Sequence, residues 1–254
     1  MLRTRVIPVL LLRGESLVKT VRFKNPAYIG DPSNACRIFN ELEVDELTFL
    51  DIRATHERRE PNWRILKEIS EECFMPVSYG GGIDSVAMAE KVLKLGFEKV
   101  VVNSAAMRDP ALVTAIAKAF GSQSVIVAID VDRSFWGNQY CFSVSGTKKN
   151  RIAPVDWARR VEELGAGEIL LTSVRREGTW SGFDLDLIKA VADAVNIPVI
   201  AHGGAGSVGD IGAAVRQGHA SAVALGSMVV YQKKGMGVLV NFPDERQLRE
   251  ELGR

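Results

Sequence analysis

Cysteine and histidine are scarce, with three of each in 254 residues. Cys36, Cys73 and Cys141 are odd in number and far apart in the chain, and none stands at metal-ligand spacing from His56, His202 or His219. The sequence therefore offers neither a disulfide framework nor a zinc site. Charge of one sign is missing too. With 32 basic against 31 acidic side chains the net charge is +1, which gives no broad electrostatic footprint for nucleic acid or an anionic membrane. Long apolar runs are absent: the longest near the start, residues 6–12, is closed by Arg13, is too short to span a bilayer, and has no small-residue cleavage site behind it. The expectation is a cytoplasmic protein without metal or organic cofactor, able to bind a small anionic ligand through local charge.

What is present is a repeated unit. Short β-branched runs at 5–11, 46–52, 77–79, 99–103, 124–131, 168–173, 198–202 and 221–226 are each followed by a Gly- or Asp-containing loop and an amphipathic stretch of helical length. Helices are expected near 33–43, 61–73, 85–95, 110–119, 154–164, 185–195, 207–217 and 244–252. Asp31-Pro32, Asp84-Ser85 and Asp109-Pro110 read as caps, and Pro61 and Pro154 as first helical positions. Eight alternations predict an α/β fold, a parallel sheet closed into a single-domain (β/α)8 TIM barrel over 1–254.

Met75-Pro76-Val77-Ser78-Tyr79-Gly80-Gly81-Gly82 returns as Ile197-Pro198-Val199-Ile200-Ala201-His202-Gly203-Gly204, an offset of 122 residues from Pro76 to Pro198. Glu46 and Glu168, and Gly96 and Gly218, keep the same offset. The pattern reads as a pseudo-twofold pair of half-barrels, 1–121 and 122–254, neither of which buries its sheet alone. Two connections, 12–30 and 132–153, are long and follow strand C-termini, so they are candidate lids over the ligand face. Within the second, Trp136, Tyr140 and Phe142 alternate around Gly137-Asn138 as in a hairpin.

Gly80-Gly81-Gly82 and Gly203-Gly204-Ala205-Gly206 follow strands and open helices, where free backbone N–H groups hold phosphate oxygens; tight turns alone would also use them. The strand ends Asn103-Ser104 and Gly226-Ser227 would close the two pockets. Asp130 ends the fifth strand, where a carboxylate aimed into the barrel mouth acts as general acid or base, or else caps a loop. Its symmetry mate is Leu11, which transfers no proton. Lys19, Arg22 and Lys24 lie on the first long loop, either swinging over a phosphate or sugar or simply solvated. His202 precedes Gly203, within reach of a phosphate or substrate unless it is a structural histidine. His56 reads as solvated loop. Arg5, Glu46, Lys99 and Glu168 stand near strand beginnings, two charges against two, as a ring at the barrel bottom whose default role is stability.

The whole chain resembles the cyclase subunit of imidazole glycerol phosphate synthase, a (β/α)8 barrel of the histidine pathway, and more distantly its isomerase relative. The resemblance runs through residues 45–52, Gly80-Gly81-Gly82-Ile83, 120–123, Val127-Ala128-Ile129-Asp130, 165–173, Gly178-Thr179 with Ser181-Gly182, and Gly203-Gly204-Ala205-Gly206. It implies a synthase subunit forming a heterodimer with a glutaminase docked at the barrel bottom, with ammonia passing through the barrel to a phosphorylated small-molecule substrate carrying two phosphates. It also turns the ring Arg5, Glu46, Lys99 and Glu168 into an ammonia gate and makes Glu98 a glutaminase contact. Gly82, Asn103, Thr172, Gly204 and Ser227 fall on the family's phosphate-binding loops, which with Gly81, Ser104, Gly178, His202, Gly203 and Gly226 make up the expected substrate site. Lys19 falls on the mobile first loop and joins Asp130 as the candidate catalytic pair.

The departures are specific. The family carries catalytic aspartates at the ends of strands 1 and 5, and the first of these is Leu11 here. His202 stands in place of a small hydroxyl residue, Glu177 in place of an aspartate, and the first loop begins Leu11-Leu12-Arg13-Gly14-Glu15-Ser16 where the family is Asp-rich. Loss of one proton-transfer group costs about 10²–10⁴-fold in such a step. The sequence is similar to the paralogous branch encoded with surface-polysaccharide genes, whose members deliver ammonia to a sugar amidotransferase. A histidine-pathway cyclase, a noncatalytic activator of a glutaminase and a stand-alone phosphosugar isomerase are the competing expectations.

Overall fold

Each apolar run becomes a strand because its alternate residues meet two different apolar surroundings. On the first, Ile7, Val9 and Leu11 face the barrel bore while Val6, Leu10 and Leu12 pack outward under helices. The computed structural model describes residues 3–133 and 137–253. In chain order the first half contains β1 (Arg5–Arg13), β2 (Ser16–Val21), β3 (Lys24–Gly30), α1 (Pro32–Glu41), β4 (Leu47–Asp51), α2 (Ala54–Glu57), α3 (Trp63–Glu72), β5 (Val77–Gly80), α4 (Val86–Lys94), β6 (Lys99–Val102), α5 (Ser104–Arg108) and α6 (Ala111–Phe120). The second contains β7 (Val125–Arg133), β8 (Gln139–Ser143), β9 (Lys148–Lys149), α7 (Pro154–Glu163), β10 (Glu168–Ser173), α8 (Leu185–Ala192), β11 (Val199–His202), α9 (Val208–Arg216), β12 (Ala222–Leu225) and α10 (Glu245–Leu252).

Strands β1, β4, β5, β6, β7, β10, β11 and β12 pair in parallel in that order, and β12 returns to β1 through Arg5 opposite Ala222, so the sheet closes. This is a single-domain TIM barrel. The offset seen in the sequence carries into three dimensions: β5 and β11, and α4 and α9, have bounds displaced by the same 122 residues. Gly81 and Gly203 show why. Both have positive φ (126° and 90°), and a Cβ on either would meet the carbonyl oxygen ending the preceding barrel strand, Asp51 O at 2.6 Å and Ser173 O at 2.7 Å.

Helix starts follow the caps. Asp31 accepts from Asn34 N, Ser85 from Met88 N, and Ser207 forms a capping box with Asp210. Pro154 opens α7 as expected, but Pro61 lies before α3, whose N-cap is Asn62.

The two long connections are corrected from loops to strands. β1 continues to Arg13 and folds back on β2 in antiparallel register, with β3 beyond it, and β7 folds back in the same way on β8 and β9. Lys19 therefore sits on β2 and is buried, not on a mobile loop. β7 and β8 do pair as a hairpin, but with Arg133 opposite Gln139 the connection spans 134–138 and is not a two-residue turn at Gly137-Asn138; Trp136 lies outside the described residues. Among the described residues no helix is long and apolar enough to cross a membrane, and no group of His, Cys, Asp and Glu is placed to hold a metal. Cys36 and Cys73, distant in sequence, meet with their sulfurs 3.2 Å apart as free thiols.

Candidate functional site

The barrel has a charged end and a ligand end, joined by an apolar bore. At the bottom, Arg5 Nη1 lies 2.6 Å from Glu46 and Nη2 lies 2.9 Å from Glu168, while Lys99 Nζ lies 3.1 Å from Glu46 and 3.3 Å from Glu168. The four predicted side chains thus form a closed ring of alternating charge. Burial opposes the charge on Arg5, and the carboxylates of Glu168 and Glu46 outweigh it, so its pKa is raised. Above the ring, Ile7, Val9, Val101, Ile126, Leu170, Ile200 and Ala222 line the bore. Glu98 is exposed on the same bottom face. Close by, in the connection from α3 to β5, Phe74 is 87% exposed beside Asn40, and Ile38 on α1 and Leu42 at its C-cap are also exposed.

At the mouth a cavity of about 480 Å³ is lined by Leu11, Lys19, Asn103, Asp130, Thr172, Glu177 and His202, by Gly80 to Gly82 and by Ser104. The second phosphate region, with Gly178, Gly203, Gly204, Gly226 and Ser227, forms a separate nook of about 10 Å³ that shares Glu177 and His202 with the main cavity. The predicted substrate residues are therefore brought to one end of the barrel, in two unequal compartments. Leu11 is buried against Leu50 and Val18 and lines the cavity floor.

The polar residues are tied to one another. Asn103 Nδ2 donates to Asp130 Oδ2 at 2.8 Å, so this predicted phosphate ligand has one of its amide donors engaged, and its buried Oδ1 has no partner among the described residues. Burial pushes the Asp130 carboxyl up to about 7, against hydrogen bonds from Thr172 and Asn103 and with Glu177 adding to the rise. Lys19 donates to the Val9 carbonyl, and burial lowers its ammonium to about 8 while Glu177 opposes the fall. Burial, helped by Lys19, lowers His202 to about 3, so its imidazole is neutral. The mouth thus holds one carboxyl and one amine that titrate near neutrality, the range in which acid–base chemistry is fastest.

Both flaps are fastened over this mouth. Glu177 accepts from Thr20 Oγ1 and from Phe23 N, each at 2.9 Å, holding the β2–β3 turn whose Arg22 and Phe23 have φ of 56° and 61°. Ser104 Oγ accepts from Val144 N at 2.9 Å, and Ser145 Oγ donates to Ile52 O at 2.8 Å, which holds the β8–β9 turn. Sequence reasoning missed several lining residues. His56, expected in solvated loop, stands on α2 and faces the cavity with Arg13, Arg53 and Thr147. The signal that could have found His56 is its place just after Asp51, at the C-terminal end of a barrel strand.

Comparison with known proteins agrees with this geometry. The family model described as histidine biosynthesis protein matches residues 5–235. A protein of Pseudomonas aeruginosa provisionally named imidazole glycerol phosphate synthase subunit hisF2 is 50% identical over 98% of this chain and 99% of its own length. A Vibrio vulnificus protein provisionally named subunit hisF3 is 44% identical over 99% of this chain and 97% of its own. The imidazole glycerol phosphate synthase subunit HisF of Alkaliphilus metalliredigens is 45% identical over 99% and 98%. The chain belongs to the histidine biosynthesis protein family, among its HisF-type subunits.

Proposed function

We propose that this chain is the ammonia-using subunit of a cytoplasmic glutamine amidotransferase. It receives ammonia from a glutaminase at the charged end of the barrel and delivers it to the mouth, in the service of a sugar amidotransferase acting in surface-polysaccharide synthesis. The observation that carries the first half is the closed ring of Arg5, Glu46, Lys99 and Glu168 leading into an apolar bore. Ammonia is small and neutral, and such a bore passes it while a charged ring withholds water and ions until a partner rearranges it.

The observation that separates sugar amidation from histidine-pathway cyclisation is Leu11 on the cavity floor, where the cyclase carries an aspartate. Asn103 supports delivery at the same place: its unpartnered Oδ1 is an acceptor suited to an incoming N–H donor beside Asp130. The expected phosphate and substrate residues, Gly81, Gly82 and Ser104 in the main cavity and Gly178, Gly203, Gly204, Gly226 and Ser227 in the nook, hold the phosphorylated acceptor in this reading.

The test mixes this protein with a HisF-partner glutaminase and glutamine. Stimulated glutamine hydrolysis without consumption of the histidine-pathway bisphosphate is the expected result. Absence of complex formation and of stimulation sinks the ammonia-delivery reading, and consumption of the bisphosphate assigns the protein to histidine synthesis instead.

A further inference from the structure

Three residues on neighbouring strands of the mouth share one row of hydrogen bonds. Register places Thr172 of β10 opposite Asp130 of β7 on one side and opposite His202 of β11 on the other. Thr172 Oγ1 lies 3.1 Å from His202 Nδ1, and strand register brings the same hydroxyl beside the Asp130 carboxyl, whose charged form it favours. All three are buried. At the far end Asn103 Nδ2 donates to Asp130 Oδ2, which fixes that carboxyl oxygen as an acceptor.

A hydroxyl has one proton, so Thr172 can donate to Asp130 or to His202 but not to both. Two arrangements satisfy the row. With Asp130 ionised, Thr172 donates to the carboxylate and His202 must donate from Nδ1. With Asp130 protonated, its O–H donates to Thr172, Thr172 donates to Nδ1, and His202 carries its proton on Nε2. The protonation of Asp130 and the tautomer of a neutral His202 are thereby one variable.

We propose that Asp130, Thr172 and His202 form a proton relay across the barrel mouth, in which His202 Nε2 supplies the acid that Leu11 cannot. Nε2 lies on the side of Gly226, where a Cβ would be 3.7 Å from it and 3.1 Å from Lys19 Nζ, and His202 borders both the main cavity and the nook. In one cycle, starting from protonated Asp130 and Nε2–H His202, the Nε2–H bond breaks and its proton passes to the substrate oxygen on which negative charge develops. In step, the proton on Thr172 moves to His202 Nδ1 and the Asp130 O–H bond breaks as its proton passes to Thr172 Oγ1, which leaves ionised Asp130 and Nδ1–H His202. Asp130 then takes a proton from a substrate C–H or N–H bond. One proton leaves and one enters, no electrons change hands, and exchange of the His202 ring proton with solvent, from Nδ1 to Nε2, restores the starting tautomer.

The imidazolium is never needed, in keeping with the neutral state that burial and Lys19 impose on His202. The other ionisable groups facing the row are Glu177, beside both Asp130 and Lys19, and Cys141 of β8 behind Asp130. The acid role rests on the ammonia-dependent chemistry proposed above, whereas the relay itself is a property of the resting protein.

The experiment therefore reads the resting protein. Protein labelled with 15N histidine contains three rings, and His202 is assigned by the signal lost in His202→Ser. Ring nitrogen shifts are followed from pH 5 to pH 9. The expected result is a neutral His202 throughout that changes from Nε2–H to Nδ1–H with a midpoint near that of Asp130, about 7. Thr172→Val should lose the change and Thr172→Ser keep it. Asp130→Asn should lock Nε2–H at every pH, which keeps the test decisive if Thr172→Val fails to fold. A single tautomer over the whole range, or a change that persists in Asp130→Asn, overturns the relay. Neither result depends on turnover, so failure here is separate from failure of the proposed function.

Discussion

The Lys99 ammonium lies 3.1 Å from both carboxylate oxygens of Glu46 and 3.3 Å from the nearer oxygen of Glu168. Lys99→Ala leaves two poorly solvated carboxylates facing each other with Arg5 as their remaining ring partner. Breaking such a pair costs about 3 kcal/mol, which lowers Tm by roughly 6–12 °C in a chain of this size. Thermal unfolding checks it, and an unchanged Tm contradicts the ring geometry.

Asp130 and His202 make opposing contributions to stability against pH. The folded pKa of Asp130 is raised to about 7, so the folded state holds an extra proton between the unfolded carboxylate range and pH 7, and stability falls as pH rises through that window. The folded pKa of His202 is lowered to about 3, so stability is lost as pH falls from its ordinary value of 6.5 toward 3. Where the windows overlap the slopes cancel. In Asp130→Asn the opposing Asp130 slope is removed, and at pH 8 the variant should be more stable than the parent by on the order of 2–4 kcal/mol. Urea unfolding at pH 4, 6 and 8 measures this; equal stability of the two proteins at pH 8 contradicts it.

Much of this site was legible in the sequence, and the failures have physical causes. The eight barrel strands, the repeat and the ring could be read because strand beginnings and ends map directly onto the two faces of a closed barrel. Asp130 was legible for the same reason. The β2–β3 hairpin was not, since its turn is Arg22-Phe23, both at positive φ without glycine or asparagine, and it is held by Glu177 from 154 residues away in the chain. Lys19 was misplaced with it. The Thr172–His202 contact depends on strand register, which no local pattern prints, and the meeting of Cys36 with Cys73 depends on α1 packing beside α3.

Glu177→Ala removes the acceptor for Thr20 and Phe23 and should free the β2–β3 hairpin while the barrel stays folded. The loss is about 1–3 kcal/mol of local closing free energy, because the Phe23 amide loses its partner. Amide exchange of residues 20–24 should quicken about tenfold or more. Unaltered protection there would mean that Glu177 is not the latch.

Phe74 is the largest exposed apolar side chain beside the charged end. If the glutaminase docks on this face, Phe74→Ala should weaken the complex by about 2 kcal/mol, roughly thirtyfold in Kd, as truncating an aromatic anchor does. Its exposure means that Tm should move little. Calorimetric titration with the glutaminase reads the first quantity, and unchanged affinity would move the docking surface elsewhere.

In the proposed function the barrel keeps an ammonia path but lacks one of the proton-transfer groups of histidine-pathway cyclisation. Ammonia-dependent turnover of N′-phosphoribulosyl formimino aminoimidazole carboxamide ribotide at mildly alkaline pH, measured for this protein beside Leu11→Asp, decides between the two roles. The expected result is no cyclisation by the unaltered protein and measurable cyclisation by the variant. Turnover by the unaltered protein would contradict it and place the chain in histidine synthesis.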